Sequence, residues 1–416
     1  MKTIRSGQRN MYNMLPNQIE DTSLNYVPHK YFIENNGIVF NCITGETVGD
    51  ISWEKDRAEL IRRWFLVPED FDISGFIYLM RQIRLSRMNS PTITDYTIFT
   101  TMQCNARCPY CFQNDRHEDL YMSHDTALDV AKYIKNNSDR TKRLTLRWFG
   151  GEPLLNRDVI NTICCSLRDS DYMHRSYIST NGDLLPTVTD GELYLWNLKI
   201  VQLSIDYPGE EYDKVKGLPS GAYERLIETT KRLDELGVES RIRIHYHSES
   251  GNDPIFKIID DFKDLTNSNM YISPLFGDHV CKEDFDKILE DVLVKLRKLR
   301  DPIPNGGRPS QCMADNKYSK TITAEGGLTP CEHYSGEENY GSIYSDIYNE
   351  AVLTKWRSKR KHELKCTDCP LFPTCEILTA CPAIARCEDG TKEYRIERTR
   401  RALSNLGGSN EQRQIN

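Results

Sequence analysis

The sequence is short of several things, and each shortage removes a class of function. It holds no apolar run of roughly 18 residues, the length a membrane-spanning helix needs. Its N-terminus, MKTIRSGQRN, lacks the apolar core of a secretory signal, so a soluble cytoplasmic protein is expected. It has no excess of positive charge: 54 lysines and arginines face 61 aspartates and glutamates, for a formal net charge of −7. Without a basic field, non-specific binding to nucleic acid is disfavoured. No repeat at solenoid periods is apparent either.

What the 416 residues do hold is cysteine, fourteen in all. In a chain with no export signal, that number points to metal or redox chemistry before disulfides. Three lie at 104–111, seven lie from Cys312 to Cys387, and only Cys42, Cys164, Cys165 and Cys281 fall outside these groups. Core cysteines scattered at random would not cluster in this way, whereas metal ligands would. Cys164 and Cys165 sit on a helical pattern where at least one must face the core, and Cys42 reads as an ordinary core residue.

The length predicts two or three domains. From about Asp95 the chain alternates strand-like and helical segments. The strands are TDYTIFTTM, RLTLRWF, RSYIST, IVQLSID, SRIRIHYH and MYISPLF. Between them lie helices such as SHDTALDVAKYIKNN, NRDVINTICCSLRDS, DGELYLWNL, GAYERLIETTKRLDELG and PIFKIIDDFKDL, with Ser123 and Asn156 as N-caps and Gly237 as a stop. Six alternations imply parallel strands joined by right-handed crossovers, too few for a closed eight-unit barrel. The expected class is α/β, a partial (β/α)6 barrel over 93–280 with its chemistry at the C-terminal strand ends. Residues 1–92 form a small α+β unit: a hairpin in KYFIENNGIVFNCITGETV, then helices in AELIRRWFLV and ISGFIYLMRQIRL. A long helix, FDKILEDVLVKLRKLR, and the turn-rich DPIPNGGRPSQ make a linker over 281–308. The cysteine-rich segment 309–395 has little hydrophobic periodicity and needs metal to organise it, and 396–416 reads as a tail.

The first cysteines are spaced C-x₃-C-x₂-C, in TTMQCNARCPYCFQND, just past the first barrel strand. A structural zinc takes four protein ligands, and a fourth cysteine is missing locally. Buried cysteines, a zinc with a distant fourth ligand, and a four-iron cluster with one open iron are the three readings. With Tyr110 before the last cysteine, the stretch resembles the signature of the radical SAM superfamily. That resemblance implies a [4Fe–4S] cluster on Cys104, Cys108 and Cys111. Its open iron would bind S-adenosylmethionine, which is cleaved reductively to a 5′-deoxyadenosyl radical that takes hydrogen from substrate.

The resemblance also implies motifs at later strand ends, and they are present. WFGGEPLL supplies Gly150, Gly151, Glu152 and Pro153, the glycines suited to a close approach and the carboxylate to an ammonium such as the methionyl amine. ISTNG supplies Ser179 and Asn181, and LSIDYPG supplies Ser204 and Asp206, with Tyr207 where the family usually has glycine. Arg225 and Arg243 are candidates for the carboxylate of S-adenosylmethionine.

The later cysteines run Cys312, Cys331, then Cys366-x₂-Cys369-x₅-Cys375-x₅-Cys381-x₅-Cys387. Zinc is the alternative for such a set. The arrangement resembles the SPASM extension of radical SAM maturases, although the family's penultimate spacer is three and not five. It implies two auxiliary [4Fe–4S] clusters, an outer one on Cys366, Cys369, Cys375 and Cys387 and an inner one on Cys312, Cys331 and Cys381. The inner fourth ligand is Cys281 or an open position.

SPASM-bearing proteins mostly modify peptides. The N-terminal hairpin and helices are similar to the winged-helix element by which peptide maturases hold a leader as an extra strand. The resulting expectation is a maturase that crosslinks or otherwise oxidises a precursor peptide, supplied with electrons by a flavodoxin or ferredoxin. An anaerobic sulfatase-maturing enzyme is the second reading, and a zinc-organised interaction protein is the third.

Overall fold

The computed structural model describes residues 2–5, 15, 18–88, 92–113, 119–247, 251–274, 313–316, 318–333, 339–357, 364–375 and 391–408. They fall into two compact units. One is drawn from Met1–Asn89 and Arg357–Asn416, the other from Ser90–Leu299 and Met313–Trp356. The segment expected to stand alone at 309–395 is thus shared between the two.

The first unit contains β1 (Lys2–Arg5), β2 (Tyr26–Pro28), β3 (Phe32–Asn35), β4 (Ile38–Asn41), β5 (Thr47–Gly49), α1 (Arg57–Arg62), β6 (Leu66–Pro68) and α2 (Ile73–Met88). Four strands make a sheet in the order β1-β5-β4-β3, and β2 pairs with β6. The β3–β4 hairpin turns at Asn36 and Gly37, with φ of 49° and 73°. Positive φ at both central residues is the geometry that matches the twist of paired strands, and Asn-Gly adopts it readily. AELIRRWFLV is only half helical. Its helix stops at Arg62, Trp64 takes φ of 59°, and Val67 pairs with Val27. Phe65, Leu66 and Val67 bury better as a strand than they would on a short helix.

Residues 364–375 and a helix at Thr391–Gly408 belong to this unit. Leu371, Phe372 and Leu403 share one core with Tyr31, Phe40 and Ile43, and Cys366 and Cys369 pack against it. The tail expected from 396 is therefore helical through Gly408, because Leu403 has a core to enter.

The second unit holds the six expected strands: β7 (Asp95–Thr101), β8 (Leu144–Gly150), β9 (His174–Thr180), β10 (Leu198–Ile205), β11 (Glu239–Tyr246) and β12 (Ser268–Pro274). They are parallel and lie in sequence order. The crossovers carry α3 (His124–Asn137), α4 (Arg157–Arg168), α5 (Asp190–Trp196), α6 (Glu210–Lys216), α7 (Ala222–Glu235) and α8 (Asp253–Phe262). Alternation along the strands separates two faces. Leu146, Trp148, Ile178, Leu203 and Ile242 are buried, while Arg147, Tyr177, Ser204 and Arg243 are half-buried.

Ser123 caps α3 by accepting from the Thr126 N–H, and Gly237 follows α7 at φ of 72°. Asn156 makes no capping bond to α4. Its amide donates instead to the carbonyls of Thr100 and Met122, at 2.8 and 3.0 Å, tying α4 to the end of β7. Three further strands extend the sheet beside β7: β13 (Ser319–Ile322), parallel to it, then β14 (Gly327–Thr329), antiparallel to β13, and β15 (Gly341–Ser342), antiparallel to β14. Ile322 and Leu328 are fully buried, so this stretch is organised by sheet pairing. FDKILEDVLVKLRKLR and DPIPNGGRPSQ lie outside the described residues.

Candidate functional site

Cys104, Cys108 and Cys111 follow β7 on one loop, each half-buried. The Cys111 N–H donates to the Cys108 carbonyl at 3.2 Å, closing a turn. Cys104 Sγ accepts from the Ala106 N–H at 3.3 Å and from Asn181 Nδ2 at 3.8 Å, donors that favour a thiolate. Burial pushes the Cys104 thiol up to about 11 and raises that of Cys111. Loading such a loop with metal therefore releases protons.

The GGEP turn holds this loop from beneath. A Cβ on Gly150 would come within 2.2 Å of the Thr101 carbonyl oxygen, and one on Gly151 within 2.3 Å of that of Gln103. Gly150 also has φ of 145°. The close approach these glycines permit is to the backbone entering the cysteine loop. The Gly151 and Glu152 N–H groups donate to Thr101 and Gln103, at 3.1 and 2.8 Å. Glu152 was expected to face an ammonium, but its carboxylate is fully buried and already occupied. It accepts from Thr180 Oγ1 at 2.8 and 2.9 Å, from the Asn181 N–H at 2.9 Å and from the Leu154 N–H at 3.1 Å. Burial raises its pKa to about 7. Glu152 is a brace between two strand ends.

Asn181 braces the loop from β9. Besides reaching Cys104, it donates to Asn105 Oδ1 at 2.8 Å, and Asn105 donates to Asp183 at 2.9 Å. Ser179 and Ser204 stand on β9 and β10, with Ser204 level with Arg243 on β11. The two candidate arginines part company here. Arg225 is spent on Asp183 at 3.2 Å and on the Ser220 carbonyl at 2.9 Å. Arg243 donates to Ser273 Oγ at 2.9 Å, and its Nε is buried with no hydrogen-bond partner among the described residues. An orphaned guanidinium N–H near the strand ends suits a carboxylate.

Asp206 directly follows β10. It is the hub of a buried network. The Tyr110 hydroxyl donates to one of its oxygens, Lys216 Nζ sits 3.1 Å from the same atom, and His245 Nδ1 and His247 Nε2 lie 2.8 and 3.2 Å from the other. Burial alone would raise the Asp206 carboxyl, but the Lys216 ammonium and the two imidazoles hold it well below the carboxylate range. Tyr207, in the family's glycine position, stacks on His247 with ring centroids 4.8 Å apart. The turn takes its positive φ at Gly209, 63°, so Tyr207 carries no strain of that kind. Thr180, Lys216, His245 and His247 were not singled out from the sequence. IHYH offered a signal, since alternate residues put both histidines on one sheet face, and EEYDKVKG offered another, an acid-to-base helix ending at glycine.

Of the later cysteines, Cys331 is buried in the barrel unit. Two residues on, the His333 ring lies 4.4 Å from that of Phe112, the residue after Cys111. Cys366, Cys369 and Cys375 are half-buried in the other unit. The Cys369 N–H donates to the Cys366 carbonyl at 3.1 Å. Arg81 donates to the carbonyls of Phe372, Pro373 and Cys375 at 2.8, 3.2 and 3.1 Å, and Tyr31 donates to that of Thr367 at 2.8 Å. Cys281, Cys312, Cys381 and Cys387 lie outside the described residues. Cys42 and Cys164 are fully buried and Cys165 is exposed. Among the described residues, no three His, Cys, Asp or Glu side chains gather tightly enough for a single metal ion, and no helix is long and apolar enough to cross a membrane.

Residues 98–262 match the model of the Radical SAM superfamily. The chain is 24% identical over 206 residues to the radical SAM cyclopropyl synthase TigE of Paramaledivibacter caminithermalis, a match spanning 46% of this chain but only 36% of that protein. It is 24% identical over 317 residues to the cysteine-type anaerobic sulfatase-maturating enzyme of Clostridium novyi, covering 65% of this chain and 83% of the other. Among solved structures, Streptococcus suis SuiB bound to precursor peptide SuiA superposes with a TM-score of 0.53 at 15% identity, over 88% of this chain and 99% of SuiB.

Proposed function

Since residues 98–262 are a radical SAM domain, we propose that the whole chain is a peptide maturase that abstracts hydrogen from a precursor peptide and leaves a crosslink or other oxidative modification. The observation that carries the reading is the seat of the cysteine loop. Three thiols stand at the mouth of a six-stranded parallel unit, locked there by Gly151, Glu152 and Asn181, with no fourth cysteine beside them in sequence.

Cys104, Cys108 and Cys111 would hold a [4Fe–4S] cluster, and Tyr110, Gly150, Gly151, Glu152, Ser179, Asn181 and Ser204 would shape the S-adenosylmethionine pocket around it. Arg243 would meet the cofactor's carboxylate. When bound, cluster and cofactor supply one-electron cleavage of a carbon–sulfur bond; the protein's share is to place the cofactor, exclude water and present the peptide. Two auxiliary clusters, on Cys366, Cys369, Cys375 and Cys387 and on Cys312, Cys331 and Cys381, would give electrons a way out. A flavodoxin or ferredoxin in the cytoplasm would supply them.

The likeness to SuiB over most of the chain supports a peptide substrate with a leader, docked on the N-terminal sheet. Such tethering raises the core peptide's effective concentration at the barrel mouth. The length of the match to the sulfatase-maturating enzyme keeps that activity as the second reading. Anaerobic reconstitution with iron and sulfide tests the proposal: about 12 iron atoms per chain are expected for three clusters, and zinc in their place overturns it. Sequencing the DNA beside the gene separates the two enzyme readings. A short open reading frame there supports the maturase, and a sulfatase gene supports the alternative.

A further inference from the structure

Lys216 and Asp206 make an ion pair of 3.1 Å with side chains 3% and 0% exposed. Burying two charges costs more than their attraction returns unless other groups satisfy them. Tyr110, His245 and His247 do so for Asp206, but a well-packed apolar pair would be as stable, so stability alone does not account for the pair. Its neighbours are informative. Tyr110 bonds Asp206 and lies 3.4 Å from Lys216 Nζ, and the Arg107 N–H donates to the Lys216 carbonyl at 2.7 Å. Tyr110 and Arg107 flank Cys108 on the cysteine loop. Both charges thus act on that loop at short range and away from water, where a unit charge is weakly screened. Lys216 also lies within electrostatic reach of Cys108 and Cys111.

We propose that the buried Lys216–Asp206 pair sets the reduction potential of a cluster held by Cys104, Cys108 and Cys111, with Lys216 easing reduction and Asp206 opposing it. The inference rests on the reading that this loop holds an iron–sulfur cluster. The step concerned adds one electron to the cluster from a one-electron donor; no bond forms or breaks. The added negative charge is stabilised by the ammonium and destabilised by the carboxylate.

The test is a redox titration of the reconstituted full chain with dithionite, followed by electron paramagnetic resonance. The component lost in Cys108→Ala reports the loop's cluster. Titrating at pH about 8.5 keeps His245, whose pKa burial lowers, from replacing the lost cation. Lys216→Gln is expected to lower the reduced-to-oxidised ratio at a fixed solution potential about tenfold, equivalent to about 59 mV for one electron. Asp206→Asn is expected to raise it, and Lys216→Arg to preserve it. The opposite signs matter, because a pair that only shapes the loop would shift both variants the same way. Same-sign shifts, or no shift, overturn the proposal. If Lys216→Gln takes up no iron, Asp206→Asn decides alone: a rise supports the proposal, and a fall or no change sinks it. Absence of any Cys108-dependent signal in the unmutated chain would instead overturn the cluster reading, and this inference with it.

Discussion

The two described cysteine regions are held in different ways. The barrel loop is fixed by side chains and turns within about 115 residues downstream: Gly151, Glu152, Asn181, Asp206 and Lys216 all touch it or its neighbours. Cys366, Cys369 and Cys375 are fixed by segments about 290 to 340 residues upstream, through Arg81, Tyr31 and a shared apolar core. The first region is a site with local supports that leave sequence motifs. The second depends on a distant surface that leaves none.

The largest expected effect breaks the two regions apart. Cys108→Ala should remove about four iron atoms per chain and abolish S-adenosylmethionine cleavage, with circular dichroism unchanged and the C-terminal iron retained. Retained cleavage would mean that the loop is not the reactive centre. Next is Gly151→Ala, whose methyl group meets the Gln103 carbonyl at 2.3 Å. Backbone on both sides cannot move aside, so a loss at the upper end of single substitutions, about 3 kcal/mol, is expected. Chemical denaturation checks it, and a near-neutral result would show that the loop does not need its seat on the GGEP turn.

Arg81→Ala tests the other region. It removes the donors to three carbonyls and a guanidinium 5.4 Å from the centre of the Phe372 ring. A cost of about 2 kcal/mol follows from removing hydrogen bonds given by a buried charged group. Amide exchange should quicken at 372–375, and iron should fall at the C-terminal set while the Cys108-dependent signal stays. Loss of both signals together would show that the regions are coupled.

How much was legible follows the same division. The six barrel strands, the Ser123 cap and the Gly237 stop were readable because parallel strands and caps impose periodicity and fixed offsets. Sequence tells that a close approach occurs at Gly150 and Gly151, but not that the Thr101 and Gln103 backbone lies there. Nor does anything local reveal that Thr180 and Asn181 take the Glu152 oxygens. The strands at 319–342 and the packing of Leu371, Phe372 and Leu403 were missed because their partners are remote, and short apolar stretches do not announce what they will cover.

A pH dependence sharpens the local side of the comparison. Glu152 titrates at about 7 when folded, against 4.5 in its ordinary state, because burial disfavours the anion. Between those values the folded chain holds a proton that the unfolded chain has lost. Stability therefore declines as pH rises from 4.5 through about 7 and levels above, by a total on the order of 3 kcal/mol for a shift of this size. Glu152→Gln cannot ionise, so its stability should not carry this slope. The buried Trp148 and Trp196 of the barrel unit report unfolding by fluorescence. The difference between the two pH profiles isolates Glu152, since Asp206 contributes only below its ordinary pKa of 3.8 and does so equally in both. A level difference curve across this window would mean that the four donor contacts keep Glu152 ionised, and Cys104 would then face a fixed negative charge beneath its loop.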